Sequence, residues 1–194
     1  MVFSSSGRHQ FRQRKPGHDR FPSCHRVCNW LKKGKKYLDE LVCVLKSIAL
    51  EKDSIVNCDE TWCKVRKYDH YKKCYIWVLV NKAQKTAIFF YENGSRGRDV
   101  LTDFLGDAEL KSIMSDGYNA YVFIGNELKS ARFKYGSDAG AGMAATYHSM
   151  IGTVKLHGSS VWNFIGTFFK KIFNGCRDYV YMVPDKITLA TSQC

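Results

Sequence analysis

One pattern occurs twice in this chain. At Ile55-Val56-Asn57-Cys58-Asp59 and again at Ile113-Met114-Ser115-Asp116, a short apolar run suited to a β-strand ends on an aspartate and passes into polar residues. A sheet presents carboxylates at one rim in this way. Two ionised carboxylates held side by side repel each other, so the arrangement is costly unless a divalent cation sits between them. The pattern therefore predicts an α/β fold in which Asp59 and Asp116 lie together at the ends of neighbouring strands.

The intervening sequence predicts the order of elements. Residues 54–58 read as the first strand. Residues 75–80 and 86–91 follow, rich in β-branched and aromatic side chains. The link 81–85 is short enough for a hairpin, which makes these two strands antiparallel. Residues 65–74 carry Lys, Arg, Tyr and His and read as an exposed connection. Residues 95–105 have the spacing of a helix, with Val100, Leu101, Phe104 and Leu105 on one face and Gly106 as the stop. Residues 111–115 then form a fourth strand. A helical crossover before it makes that strand parallel to the first and adjacent to it. Both aspartates would then share a rim.

Helices flank this unit. Leu38, Leu41, Val42, Leu45, Ile48 and Ala49 form an amphipathic stripe over 37–50. Met143, Tyr147, Met150, Ile151 and Val154 form another, despite Gly140, Gly142 and Gly152. A third begins at Ser160, a good N-cap, and runs through Val161, Phe164, Ile165, Phe168, Phe169, Ile172 and Phe173 to a stop at Gly175. Residues 184–194 lack periodicity and read as a loose tail.

Charge points to a partner. The chain of 194 residues carries a net charge of +12, and its pI is about 9.3. Within residues 1–36, ten Lys and Arg face only Asp19, so +9 of that excess lies in one basic arm. Such an arm attracts phosphate without regard to sequence, and nucleic acid is the expected partner. The eight cysteines show no repeated spacing. Reduced thiols in a cytoplasm are expected rather than a disulfide framework or a zinc finger. No secretory signal is visible, and no apolar run reaches the ~18 residues that span a bilayer.

The segment from Leu31 to Lys134 resembles the transposases of the insertion-sequence-66 family, within the Asp-Asp-Glu group. The resemblance is carried by Val56-Asn57-Cys58-Asp59-Glu60-Thr61, Tyr75-Ile76-Trp77-Val78, Phe89-Phe90-Tyr91-Glu92, the stretch 98–105 and Ser115-Asp116-Gly117-Tyr118-Asn119-Ala120-Tyr121. It implies a ribonuclease-H-like mixed sheet with flanking helices. Asp59 and Asp116 would be the first and second catalytic acids, both of them metal ligands. Two Mg²⁺ or Mn²⁺ ions would serve strand cleavage and transfer, with mobile-element ends and target DNA as partners, in a bacterial cytoplasm beside the nucleoid. Residues 135–194 resemble the family's C-terminal tail.

Between these two matches the family's Cys-x-x-His-x-Arg-Arg-like strand and the helix bearing the third acid are missing, as after an internal deletion. The expected division is a basic arm over 1–36, a partial catalytic core lacking its fifth strand over 37–134 and a helical segment over 135–194. Loss of the third acid implies inactivity. The alternatives are a non-catalytic DNA-binding remnant and an unstable product of a decayed mobile element. Glu60 is left out of the site, since alternation along a strand aims it away from Asp59. Glu127, Asp138, Asp178 and Asp185 are not assigned as substitutes for the third acid. Trp62 and Trp77 read as core rather than as base-stacking residues, and Tyr118 and Tyr121 as the opening of a short helix. Without their deleted counterpart, Phe164, Phe168, Phe169 and Phe173 are expected to expose an apolar patch and promote self-association.

Overall fold

The computed structural model describes residues 24–115 and 134–191. Helix α1 (Cys24–Ala49) leads into strands β1 (Ile55–Lys67), β2 (His70–Asn81) and β3 (Thr86–Phe90). Helix α2 (Arg98–Leu105) and strand β4 (Ser112–Ser115) follow. A two-residue strand β5 (Lys134–Tyr135) precedes helices α3 (Asp138–Leu156) and α4 (Val161–Phe173), a 3-10 turn (Tyr179–Met182) and helix α5 (Pro184–Thr191).

The strands form a mixed sheet in the order β3-β2-β1-β4. β1, β2 and β3 are antiparallel neighbours, and β4 runs parallel to β1 with Ile55 opposite Ser112 and Cys58 opposite Ser115. The hairpin, the crossover helix and the parallel fourth strand therefore follow the sequence pattern. β5 pairs with β1 itself, Lys64 opposite Lys134 and Val65 opposite Tyr135, rather than lying beyond β4.

Two strands are longer than predicted. β1 does not end at Asp59 but continues to Lys67, paired with β2 all the way to the Tyr68-Asp69 turn. Asp-Glu-Thr reads as a turn in isolation. In the sheet, the alternation of buried Cys63 and Val65 with exposed Trp62, Lys64 and Arg66 keeps the strand going. The connection expected over 65–74 is thus strand on both sides, and Tyr68 turns the corner with φ at 46°.

α1 and α2 cover one face of the sheet. Leu38, Leu41, Leu45 and Ala49 of α1 are buried against Val56, Leu79 and Ile88, together with Met150, Phe164 and Phe168. Burying each large aliphatic side chain contributes about 1.5–3 kcal/mol. Val100 of α2 packs on Cys58 and Trp77. On the opposite face Cys63, Val65, Ile76, Val78, Val80 and Phe89 meet Ala141 and Ala145 of α3.

α3 runs along the β3 margin. The Ser149 hydroxyl accepts from the Phe89 N–H at 2.7 Å and lies 3.1 Å from the Phe89 carbonyl oxygen. The Thr153 hydroxyl does the same for Ala87, at 3.0 and 3.1 Å. Four residues of helix rise about 6 Å and two residues of strand about 6.8 Å, so the two periods match over this pair. Gly152 allows the approach, since a Cβ there would lie 3.3 Å from the Ala87 Cβ.

The helical expectations hold unevenly. α4 starts at its Ser160 N-cap, whose side chain accepts from the Asn163 N–H. α1 begins at Cys24, well before the predicted 37, because basic residues dilute its apolar stripe. Residues 184–191, read as a loose tail, are helical, with Pro184 as the first residue, where its missing N–H is no loss. Phe164 and Phe168 are buried and Phe169 is partly so, which corrects the expected four-phenylalanine patch. Phe173 alone of the four is largely exposed, at 81%. No described helix is long and apolar enough to cross a membrane.

Candidate functional site

Asp59 sits in the middle of β1, opposite Val78 of β2 and half-buried. Its position in the sheet is nonetheless special. On the other edge of β1, β4 pairs only as far as Cys58, and β5 pairs from Lys64. Asp59 is thus the first residue of β1 beyond the end of the described β4 ladder. The registered partner of Cys58 is Ser115, so each member of this pair is followed directly by one of the predicted acids. Asp116 itself lies outside the described residues, as do Tyr118, Tyr121 and Glu127.

Three local features shape the Asp59 environment. The Glu60 N–H donates to Asp59 Oδ1 at 2.8 Å, which orients the carboxylate. Alternation places Asn57 on the same face as Asp59, and Asn57 is 3% exposed with an amide oxygen that has no hydrogen-bond partner among the described residues. A buried acceptor without a donor costs about 1–3 kcal/mol, so an electropositive guest would offset a defect that is otherwise built in. Between them, Cys58 points to the other face. Burial pushes its thiol up to about 12, and the Asp59 and Glu60 carboxylates add to the shift. The thiol therefore stays protonated and does not offer a soft ligand.

Amide and carboxylate oxygens suit a hard divalent cation, so Asn57 and Asp59 fit the expected Mg²⁺ or Mn²⁺. Among the described residues there is no group of three His, Cys, Asp or Glu that could hold a metal ion. Asn57 was quoted within the sequence motif but given no role there. Its position two residues before Asp59 was the available signal.

Other residues resolve into structural roles. Glu60 is 18% exposed and bonds Arg96 Nε at 2.6 Å. Asp138 is engaged by Lys67 and by the Tyr91 hydroxyl, which hold its carboxyl below the usual range, and it opens α3. Trp77 is core: the residue is 7% exposed, and its ring stacks on Phe90 and donates its N–H to the Ser95 carbonyl at 3.1 Å. Trp62 departs from the expectation of core, being 41% exposed.

Residues 22–132 match the model of the transposase IS66 family. No curated protein and no solved structure gives a match.

Proposed function

Because the chain belongs to the IS66 family of transposases, we propose that it descends from a DNA-strand-transfer enzyme and keeps the first half of that enzyme's metal site, in Asp59 and Asp116. The observation that carries this reading is the parallel register of Cys58 with Ser115, the two residues that immediately precede the acids. A single peptide step from each end of that pair reaches each carboxyl-bearing residue, about 3.8 Å along the chain. The order of three antiparallel strands, a crossover helix and a parallel fourth strand supports a ribonuclease-H-like arrangement.

In this reading Asp59 and Asp116 hold the cation, with the Asn57 amide oxygen beside them. A bound Mg²⁺ or Mn²⁺ pair would activate the attacking hydroxyl and stabilise the leaving oxygen in phosphoryl transfer. The chain's own contribution is to fix the Asp59 carboxylate through the Glu60 N–H and to keep the Cys58 thiol neutral. The family's third acid has no counterpart in the sequence, so we assign this chain metal and DNA binding without strand transfer. Loss of one ligand of the metal commonly costs 10–100-fold or more in affinity or activity. Lys32, Lys33 and Lys36 of α1 supply phosphate attraction, which supports a place beside the nucleoid; Lys35 is paired with Asp39. Self-association is part of the same proposal, through Trp30 and Phe173 at an apolar cavity of about 760 Å³ between α1 and α4.

A thermal melt with and without Mn²⁺ tests the site. A native-state ligand must raise the melting temperature, and the rise is expected in the natural chain and in neither Asp59→Asn nor Asp116→Asn. A rise that survives both substitutions would place the metal elsewhere.

A further inference from the structure

Beyond Asp59 the β1–β2 hairpin carries an exposed face on which cations and aromatic rings alternate. Trp62 faces Tyr75, Lys64 faces Lys73 and Arg66 faces Tyr71 across the two strands. Alternation puts these three pairs on one side of the hairpin, in rungs about 6.8 Å apart. Trp62 and Tyr71 are 41% and 50% exposed, and Lys64, Arg66 and Lys73 are exposed. Neither Trp62, Tyr71 nor Tyr75 belongs to a core cluster.

Two features of this face are unfavourable for a surface with no partner. Large aromatic rings remain in water, and two lysines stand directly opposite each other, a pairing that destabilises a sheet. The cations are also held to the rings. Lys73 Nζ lies 5.7 Å from the Trp62 ring centre and 5.5 Å from that of Tyr75, and the Arg96 guanidinium lies 5.5 Å from Tyr75. Among the described residues, the carboxylate on this stretch of the face, Glu60, is already paired with Arg96. The local field is therefore positive beside exposed aromatic rings, and a base stacking on Trp62 would displace Lys73 toward its phosphate.

We propose that this face binds single-stranded DNA, stacking unpaired bases on Trp62 and Tyr71 while Lys64, Lys73 and Arg66 meet the phosphates. Flat rings on a sheet serve bases whose faces are free, as in single strands, and offer little to a duplex, whose base faces are already stacked. The preference for DNA over RNA rests on the transposase reading. The stacking itself does not, and the face lies on the opposite side of the sheet from Asp59.

Fluorescence anisotropy of the full chain with a labelled oligothymidylate, against a duplex of equal length, tests the proposal. The single strand is expected to bind more tightly than the duplex. Trp62→Ala and Tyr71→Ala should each weaken it about tenfold, while Trp62→Phe and Tyr71→Phe, which keep a ring, retain most of the affinity. Lys64→Gln with Lys73→Gln should lower the slope of log affinity against log salt by about 1.4, at about 0.7 for each phosphate contact. Unaltered affinity in the alanine variants, equal binding of duplex, or equal competition by polyglutamate would overturn the stacking surface and leave the metal-site reading standing. If the natural chain binds no nucleic acid at all, the stacking surface and the DNA-binding part of the transposase reading both fall, while the metal site is still judged by the Mn²⁺ melt.

Discussion

The Thr153 side chain serves the backbone of Ala87 twice, accepting from its N–H at 3.0 Å and lying 3.1 Å from its carbonyl oxygen. Ser149 does the same for Phe89 one helical turn earlier. A helix thereby stands in for a missing strand. Thr153→Val keeps the shape and removes both hydrogen bonds, leaving a buried N–H and C=O unsatisfied. It is expected to destabilise the fold by about 1–3 kcal/mol, and Ser149→Ala by a similar amount. Urea denaturation of the two single variants and the double variant checks this. Losses near the few tenths typical of surface substitutions would mean that water satisfies the β3 margin.

Asn57 should respond in opposite directions to two measurements. Its buried amide oxygen lacks a donor among the described residues, so Asn57→Leu, of similar shape, is expected to raise metal-free stability by about 1–2 kcal/mol. The same substitution should shrink the Mn²⁺-dependent rise in melting temperature. Loss of stability without metal would show that the oxygen has a partner in solution.

Alkaline pH should unfold the protein early. Burial pushes the Cys58 thiol up to about 12 and the Cys63 thiol up to about 11, against about 8.5 in an unfolded chain. Above about pH 8.5 the unfolded chain loses these protons while the folded chain keeps them. Their stabilising contribution is therefore complete below that pH and drains as pH rises toward the folded values, by up to about 1.4 kcal/mol per pH unit for each thiol. Denaturation curves from pH 7 to 10.5 should show the decline, and Cys58→Ala should make it shallower. An identical slope in that variant would assign the alkaline loss to other groups.

Trp30 and Phe173 are 56% and 81% exposed beside the cavity between α1 and α4. Concentration-dependent association is expected at micromolar protein, and Phe173→Ser should reduce it without lowering the melting temperature by more than about 0.5 kcal/mol equivalent, as for most surface changes. Sedimentation velocity across a dilution series distinguishes this from a monomer whose mass never changes.

Sequence pattern revealed elements whose signals are local. Ser160 followed by Val161, Phe164 and Phe168 marks a cap and an apolar face within a few residues, and α4 forms there. The parallel placement of β4 followed from chirality, because a helix between two strands of one sheet leaves little choice. What stayed hidden depended on partners distant in the chain. Asp59-Glu60-Thr61 looks like a turn until Val78, Trp77 and Ile76 of β2 are set against it. Ser149 and Thr153 lie outside the apolar stripe of α3, and their value appears only when β3 lies alongside. Within the candidate site, Asp59 is proposed from its motif, whereas the Asn57 amide oxygen, which has no hydrogen-bond partner among the described residues, depends on burial and could not be read from residue order.

The helix along β3 also gives the sheet a direction of growth. With Ser149 and Thr153 occupying the outward amides and carbonyls of Ala87 and Phe89, that margin is a finished border. A strand from a longer family member or a second molecule cannot be laid against Ala87–Phe89, which leaves the β4 side as an open border. Enlargement on that side starts beside the register where Cys58 meets Ser115, next to Asp59.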